Sequence, residues 1–464
     1  MRSYNNLYEK MLQNDYIEQC FKAASEKKKN RNDVRKVMEN LEAEMEILKT
    51  MLQEEMFIPD YHKLSVINES SNRKTRRILK PNYKYEQVVH HCAIGQFKPI
   101  VMNGLYEFSC GSIPGRGIHY GKKYMRKWLD SYGGKKMYIL KMDVHHFFES
   151  VDREILKKKL RTVIRDKRFL RLLCVFVEHD RIAEAVRILE DAAVEIMPED
   201  VRDLVTSLAF HNDEDALTII QKTGIVCNDY TKIERIVRGK RKGVPLGYFT
   251  SQWFGNFYLK AQDHYIKEEL KADYYMRYMD DMVILGKSKK KLRRMREEIS
   301  RYLKEELKLE LKNDWQVFRF EYPVMENGKV VLDKKGKPKT KGRMLDFLGF
   351  QFHFDRTTIR KSNLESARRK ANHIDKQDKI SWYNASGMLS YMGLFKHTDT
   401  YGYYETYIKP KVNVKKLKRI VSKHSRKENE RHERLEDAAR NTARETGGNR
   451  RVIITDNRIL APEH

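Results

Sequence analysis

Residues 274–286, Tyr-Tyr-Met-Arg-Tyr-Met-Asp-Asp-Met-Val-Ile-Leu-Gly, constrain the fold more than any other stretch. The apolar runs on either side of Asp280-Asp281 read as two short buried strands, bounded by Lys271 and by Gly286-Lys287-Ser288. Adjacent carboxylates between buried strands are costly, because a buried carboxylate without a partner protonates or destabilises the fold. A hard divalent cation offsets that cost, since oxygen ligands suit Mg²⁺ and a hairpin tip can present them to a cleft. An isolated Asp-Asp pair would read as a solvated acidic turn. The two flanking strands set this pair apart.

Charge narrows the partners. Lys and Arg number 93 against 65 Asp and Glu, a formal charge of +28 over 464 residues. Such an excess favours a polyanion, and nucleic acid is the commonest one. The length leaves room for two or three domains. Cys20, Cys92, Cys110, Cys174 and Cys227 are widely spaced and form no C-x-x-C, so neither a disulfide framework nor a zinc ribbon is expected. Met1 to Asn6 lacks an apolar h-region, and no window approaches the roughly 18 apolar residues of a membrane span. A soluble cytoplasmic protein with no membrane partner is the expectation.

Residues 1–56 carry few helix breakers, and Val37, Leu41, Met45, Leu48 and Leu52 make one face of an amphipathic helix. Ser65-Val66-Ile67 then leads into Arg73-Lys74-Thr75-Arg76-Arg77-Ile78, a cationic strand pair turning around Ser70 to Asn72. Arg offers bidentate hydrogen bonds and Lys a point charge to a triphosphate, although a solvated basic hairpin would look identical. A helix is expected from about Tyr85 to Ile100. The strand Met137 to Met142 ends in Asp143, followed by Val144-His145-His146-Phe147-Phe148. A lone Asp there is usually a helix cap. His145 and His146 are expected to face solvent or a neighbouring helix, because a zinc site wants three or four convergent ligands.

Residues 181–220 read as helices with a patch of acidic residues that includes Glu184, Asp191, Asp213 and Glu214. This patch suggests either a protein-contact module or a helical spacer. Lys289 to Leu307 reads as a helix, and Leu307 to Leu311 alternates as an edge strand. Residues 361–420 are helical and basic, with Arg368, Lys370, Lys411 and Lys416 interleaved with Tyr383, Tyr391, Tyr403 and Tyr407. Such a mixture suits the backbone of a duplex. The tail from Lys423 to Arg451 has almost no large apolar residues and is expected to be mobile or a lone charged helix.

Tyr278-Met279-Asp280-Asp281 resembles the signature hairpin of reverse transcriptases. Four further segments follow the family's order: the basic hairpin near Lys74, Cys110 to His119, Asp143 to Phe148, and Arg241 to Gln252. Met344 to Phe350 resembles the primer-grip hairpin, so the likeness spans about residues 57–420. It implies an α+β right-hand polymerase with an antiparallel-sheet palm. In that layout 1–56 is a helical extension, 57–136 the fingers, and 137–335 the palm with an insertion at about 181–239. Residues 336–360 are then the primer-grip hairpin, 361–422 the thumb and 423–464 a basic tail.

The resemblance also implies roles. Asp143, Asp280 and Asp281 would be catalytic, and together with the Val144 carbonyl would hold two Mg²⁺ ions, for which Mn²⁺ can substitute. Lys74, Arg76, Phe148, Leu246 and Gly247 would contact the dNTP, with the Phe148 ring set against a ribose 2′-hydroxyl. Arg116, Tyr278, Met279, Ser251, Gln252, Leu348 and Gly349 would contact template and primer. Leu246 and Gln252 replace the family's usual Gln and Pro, which is similar to the enzymes of diversity-generating retroelements and of phage-defence systems. In such retroelements the aliphatic residue accompanies loose copying at template adenines. The family's lysine near the leaving pyrophosphate aligns with Trp315, three residues after Lys312, so the general acid stays unassigned. The implied partners are an RNA template, a DNA or RNA primer and dNTPs, with a structured non-coding RNA and an accessory protein as further candidates. A catalytically idle RNA-binding scaffold, a retron enzyme and a group II intron enzyme remain as alternatives.

Overall fold

In the computed structural model of the chain, the described residues are 3–427 except 27, 30, 63–64, 69–74, 133–135, 193–196, 240 and 335. The turn at Ser70 to Asn72, Lys74 and nearly all of the C-terminal tail therefore lie outside the described residues. The architecture is mixed α and β. No helix among the described residues is long and apolar enough to cross a membrane.

A five-stranded sheet lies at the centre, formed by β1 (Ser109–Cys110), β2 (Tyr138–Asp143), β3 (Tyr274–Tyr278), β4 (Asp281–Gly286) and β5 (Gln316–Arg319), in the order β1-β3-β4-β2-β5. Only the short edge strand β1 runs parallel to its neighbour. Strands β2, β3 and β4 are covered on both sides, which is why their sequences read as nearly continuous apolar runs. Leu140, Met142, Met282 and Ile284 join the main core, which includes Phe254, Leu259 and Ile299. Their alternates Ile139, Val283 and Leu285 face a second core with Met125, Leu129, Phe347 and Phe350. Three helices matter to these layers: α1 (Val88–Met102), α2 (Phe249–His264) and α3 (Lys289–Leu307). α1 packs on α2, and α3 lies against β2, β4 and β5.

Several expectations shift in detail. The amphipathic stretch of residues 32–53 is two helices, Asn32–Glu39 and Leu41–Gln53, broken at Asn40, where φ is −119° and ψ 37°. Leu307 to Leu311 is not an edge strand. Leu307 ends α3, Lys308 turns into the left-handed region at φ 48°, and only Leu311 makes a bridge, to Val144. The edge position goes to β5. Part of the acidic patch is neutralised from within. Asp213 pairs with Arg181 and Arg241, Glu214 with Arg238, and Asp191 with Arg187, all among the helices His179–Asp191, Pro198–Phe210, Asp213–Lys222 and Cys227–Val237 or their flanks.

One buried ion pair holds the β3–β4 turn. Arg277 and Asp263 are both fully buried. Their contact is bidentate, with Nε donating to Oδ1 at 2.7 Å and Nη2 to Oδ2 at 2.6 Å. Ser109 and Tyr275 donate to the same carboxylate at 2.5 and 2.8 Å, which satisfies its remaining lone pairs. The guanidinium's Nη1 then donates to the Met279 carbonyl at 3.0 Å and to Asn256 at 3.2 Å. Asn256 donates onward to the Gly111 carbonyl at 3.2 Å. Asp263→Ala leaves Arg277 buried without a counter-charge, and should cost about 3–5 kcal/mol in denaturant unfolding. Asp263→Leu combined with Arg277→Met should recover much of that loss. A loss near zero for the single variant would show that the pair does not hold the turn.

Candidate functional site

The β3–β4 turn consists of Met279 and Asp280, with Tyr278 paired to Asp281. A two-residue hairpin turn needs a positive φ that matches the strand twist. Met279 supplies it at φ 54°, an unusual conformation for a residue with a side chain. Its N–H donates to the Cys110 carbonyl at 3.2 Å. Gly111 has φ +89°, and a Cβ there would stand 3.0 Å from Met279 Cγ, so the neighbouring strand end has no room for a larger residue.

β2 and β4 pair with Asp143 directly opposite Asp281. The Val144 N–H donates to the Asp280 carbonyl at 3.3 Å, and Val144 is fully buried. Three carboxylates predicted from separate motifs are thus brought to one end of the sheet. Burial, followed by the adjacent Asp143 carboxylate, pushes Asp280 up to about 6. Burial is also the largest influence on Asp281, raised to about 7 against the pull of Lys141 and Arg360. Asp143 Oδ1 and Asp281 Oδ1 are buried with no hydrogen-bond partner. Buried carboxylate oxygens left open beside like charges fit hard divalent cations, which take oxygen ligands. The donor set is oxygen only.

Two lysines face this cluster. Lys312 Nζ lies 2.5 Å from Asp143 Oδ2, and its backbone N–H donates to the Asp143 carbonyl at 2.8 Å. Trp315 is engaged elsewhere, stacked under Arg296 at 4.3 Å. Lys312 therefore meets Asp143, three residues before the position at which the resemblance puts the family's lysine. Lys141, two residues before Asp143 on β2, reaches to 3.9 Å from Asp281 Oδ2 and donates to the Asp346 carbonyl at 2.8 Å. Asp346 in turn accepts from Arg360 Nε at 2.7 Å. Nothing in the sequence pattern singled out Lys141, because alternation along a strand does not reveal which lysine faces a carboxylate.

The other predicted residues fall in several places. Phe148 packs toward α2, where a Cβ on Gly255 would meet its ring at 3.3 Å and Met279 at 3.5 Å. The Val244 N–H donates to the Phe148 carbonyl at 2.8 Å, which brings the Gly243 to Gly247 turn alongside. Leu246 accepts at 2.8 Å from the Leu79 N–H, at the foot of the basic hairpin. Gly247, at φ +107°, lies so close to that strand that a Cβ would sit 2.1 Å from the Leu79 carbonyl oxygen. Ser251 is buried and donates to the Pro245 carbonyl at 2.5 Å, whereas Gln252 is exposed. Leu348 and Gly349, at φ 57° and 83°, form the turn between Leu345–Phe347 and Phe350–Phe352. Leu348 packs on Gly121. Arg116 is half-buried and donates to the Tyr106 carbonyl at 3.0 Å. Arg76 lies on the strand Thr75–Ile78. His145 and His146 are exposed, as expected, and pack against each other.

Comparison with known proteins gives distant likenesses. No protein-family profile matches the chain. Protein YkfC of Escherichia coli K12 is 24% identical over 285 residues, covering 59% of this chain and 68% of that protein. Among solved structures, the telomerase of Candida albicans in complex with a fragment of telomeric RNA superposes with a TM-score of 0.36 at 14% identity. That match covers 84% of this chain but 61% of the telomerase chain.

The carboxylate cluster has a stability consequence. The pKa of Asp281 is higher in the fold than the ordinary 3.8, so its contribution is favourable at low pH and lost as pH rises through about 7. Above that, the ionised group destabilises the chain. The side chain is 30% exposed, so screening reduces the effect to roughly 1–2 kcal/mol. In chelator-treated protein at about pH 8, Asp281→Asn should raise the melting temperature, and the advantage should fade by about pH 5. A lower melting temperature at pH 8 would contradict the assigned cost of the buried charge.

Proposed function

We propose that this chain is an RNA-directed DNA polymerase that extends a DNA or RNA primer along an RNA template. One observation carries the reading. Asp143 and Asp281 stand opposite each other on paired strands, with Asp280 at the adjoining turn and two carboxylate oxygens left open. A charge of +28 supports a nucleic-acid partner. In this reading the central sheet is a palm, the segments around Ser65–Ile78 and α1 are fingers, and the basic helices after Lys361 are a thumb.

Asp143, Asp280, Asp281 and the Val144 carbonyl would hold two Mg²⁺ ions. When bound, such ions lower the pKa of a primer 3′-hydroxyl and neutralise charge developing on pyrophosphate. The protein's own residues would handle positioning and protons. Lys312, paired with Asp143, is placed to stabilise or protonate a leaving phosphate oxygen; burial alone would lower its pKa, but the hydrogen bond and charge of Asp143 outweigh it and hold it above the ordinary value. Phe148, between α2 and the Gly243 to Gly247 turn, would set a ring against a 2′-hydroxyl and so favour deoxynucleotides. Leu246 and Gly247 would form the floor under the incoming base pair, with Lys74 and Arg76 on the triphosphate. Arg116, Tyr278, Met279, Ser251, Gln252 and the Leu348-Gly349 turn would flank template and primer. Leu246 in place of the family's Gln supports work in a diversity-generating retroelement or a phage-defence system.

The test is incorporation of labelled dNTPs by protein purified with the RNA it carries, in Mg²⁺. Asp280→Ala combined with Asp281→Ala should reduce synthesis by at least about 10³-fold while RNA binding persists. Undiminished synthesis by that variant would end the assignment. A finer expectation concerns fidelity. Leu246→Gln should lower misincorporation opposite template adenine relative to other bases, and an unchanged error spectrum would remove Leu246 from that role.

A further inference from the structure

A second cluster of titratable groups lies away from the aspartates. His62, Glu86 and His179 each direct one ligand atom to a common point, with those atoms all within 4.8 Å of one another. Their side chains are 10%, 3% and 1% exposed. His62 Nε2 contacts Glu86 Oε2, and His179 Nε2 stands 3.0 Å from Glu86 Oε1. The Tyr248 hydroxyl is 2.5 Å from His179 Nε2 and 3.4 Å from Glu86 Oε1. Asn82 N–H also donates to Glu86 Oε2 at 3.0 Å. Beside them is His90, 1% exposed, stacked on Phe176 at 4.2 Å and close to Tyr248 at 4.9 Å, with both ring nitrogens lacking a hydrogen-bond partner.

From this we infer that His62 Nε2, Glu86 carboxylate and His179 Nε2 form a site for a transition-metal ion of the Zn²⁺ class, with the Tyr248 hydroxyl beside the fourth position. Imidazole and carboxylate are ligands that such ions take, and two His with one Glu supply three of the four positions of a tetrahedral site. Zinc bonds of roughly 2.0–2.1 Å place tetrahedral ligand atoms about 3.4 Å apart, so the 3.0 Å between His179 and Glu86 needs only a small outward movement.

A neighbouring cluster shows what a fully neutralised site looks like. Glu154, Glu178 and His211 also converge, but Glu178 is paired with Arg153 at 2.9 Å and Lys157 at 3.1 Å, so an added cation would be repelled. Among the described residues no lysine or arginine pairs with Glu86. The ligands come from separate segments. His62 precedes the basic hairpin, Glu86 lies in the Tyr83–Gln87 turn before α1, and His179 opens the helix His179–Asp191. Tyr248 directly follows Gly247 at the start of α2. An ion would therefore clamp the inserted helices and the hairpin base to the Leu246-Gly247 turn. The site does not depend on polymerase activity.

Full-length protein stripped with a chelator would be titrated with Zn²⁺, and with Co²⁺ followed by visible absorption. The expected result is about one ion bound per chain, with the absorption of a four-coordinate Co²⁺ site. His62→Gln and His179→Gln, with folding checked by circular dichroism, should weaken binding by at least about 10–100-fold. His211→Gln and Asp280→Asn should leave it unchanged. A stripped wild-type chain that takes up no ion would overturn the proposal, leaving a hydrogen-bonded network only. So would uptake that survives the loss of both histidines.

Discussion

The buried Arg277–Asp263 pair is the constraint on which the centre of the molecule rests. A guanidinium and a carboxylate cannot sit in a core without satisfying nearly all of their hydrogen-bonding groups. Here the surplus donors and acceptors are spent on the Met279 carbonyl, Ser109, Tyr275 and Asn256. The β3–β4 turn, the end of β1 and helix α2 are thereby held in one arrangement. The strained φ of Met279 persists because this network and the Cys110 contact over-determine it.

From that anchor the carboxylates follow. β4 leaves the turn with Asp281 in register with Asp143, and Lys312 and Lys141 approach from the two sides. Burial, with the neighbouring carboxylates adding to it, lifts Asp280 and Asp281 well above ordinary carboxylates, and two oxygens stay without partners. The aspartates are more widely spread than the two histidine-containing clusters, which close to within 4.8 Å. An arrangement with open carboxylate oxygens suits hard cations, which take oxygen ligands. The compact cluster at Glu86 suits an ion that stays with the fold.

The Gly243 to Gly247 turn connects these features. It hydrogen-bonds to the Phe148 segment on one side and to Leu79 on the other, and it runs into Tyr248 beside His179. The close approach at Leu79 demands glycine at position 247. The helices between His179 and Val237 thus touch the centre of the molecule through a buried polar network, and Asp191, Asp213 and Glu214 among their acidic residues are consumed by internal ion pairs. That consumption is physical economy: paired side chains can be packed where isolated charges cannot.

The sequence by itself determined the strand–turn–strand around Asp280 and the separate strand ending at Asp143, because apolar runs bounded by polar breakers leave little choice of local structure. It also determined the long helix after Lys289. It did not distinguish Asn40 as a break, since a single residue's backbone conformation depends on what the two helix faces bury. It misread residues 307–311 for a similar reason: the alternating pattern fits a strand, yet Leu307 and Leu309 are used to close α3 onto the core. Only the tertiary structure decided that Lys312 rather than Trp315 meets Asp143, that Arg277 pairs with Asp263, and that His62, Glu86 and His179 converge. Each of these joins residues distant along the chain, and periodicity carries no record of which side chains a fold brings face to face.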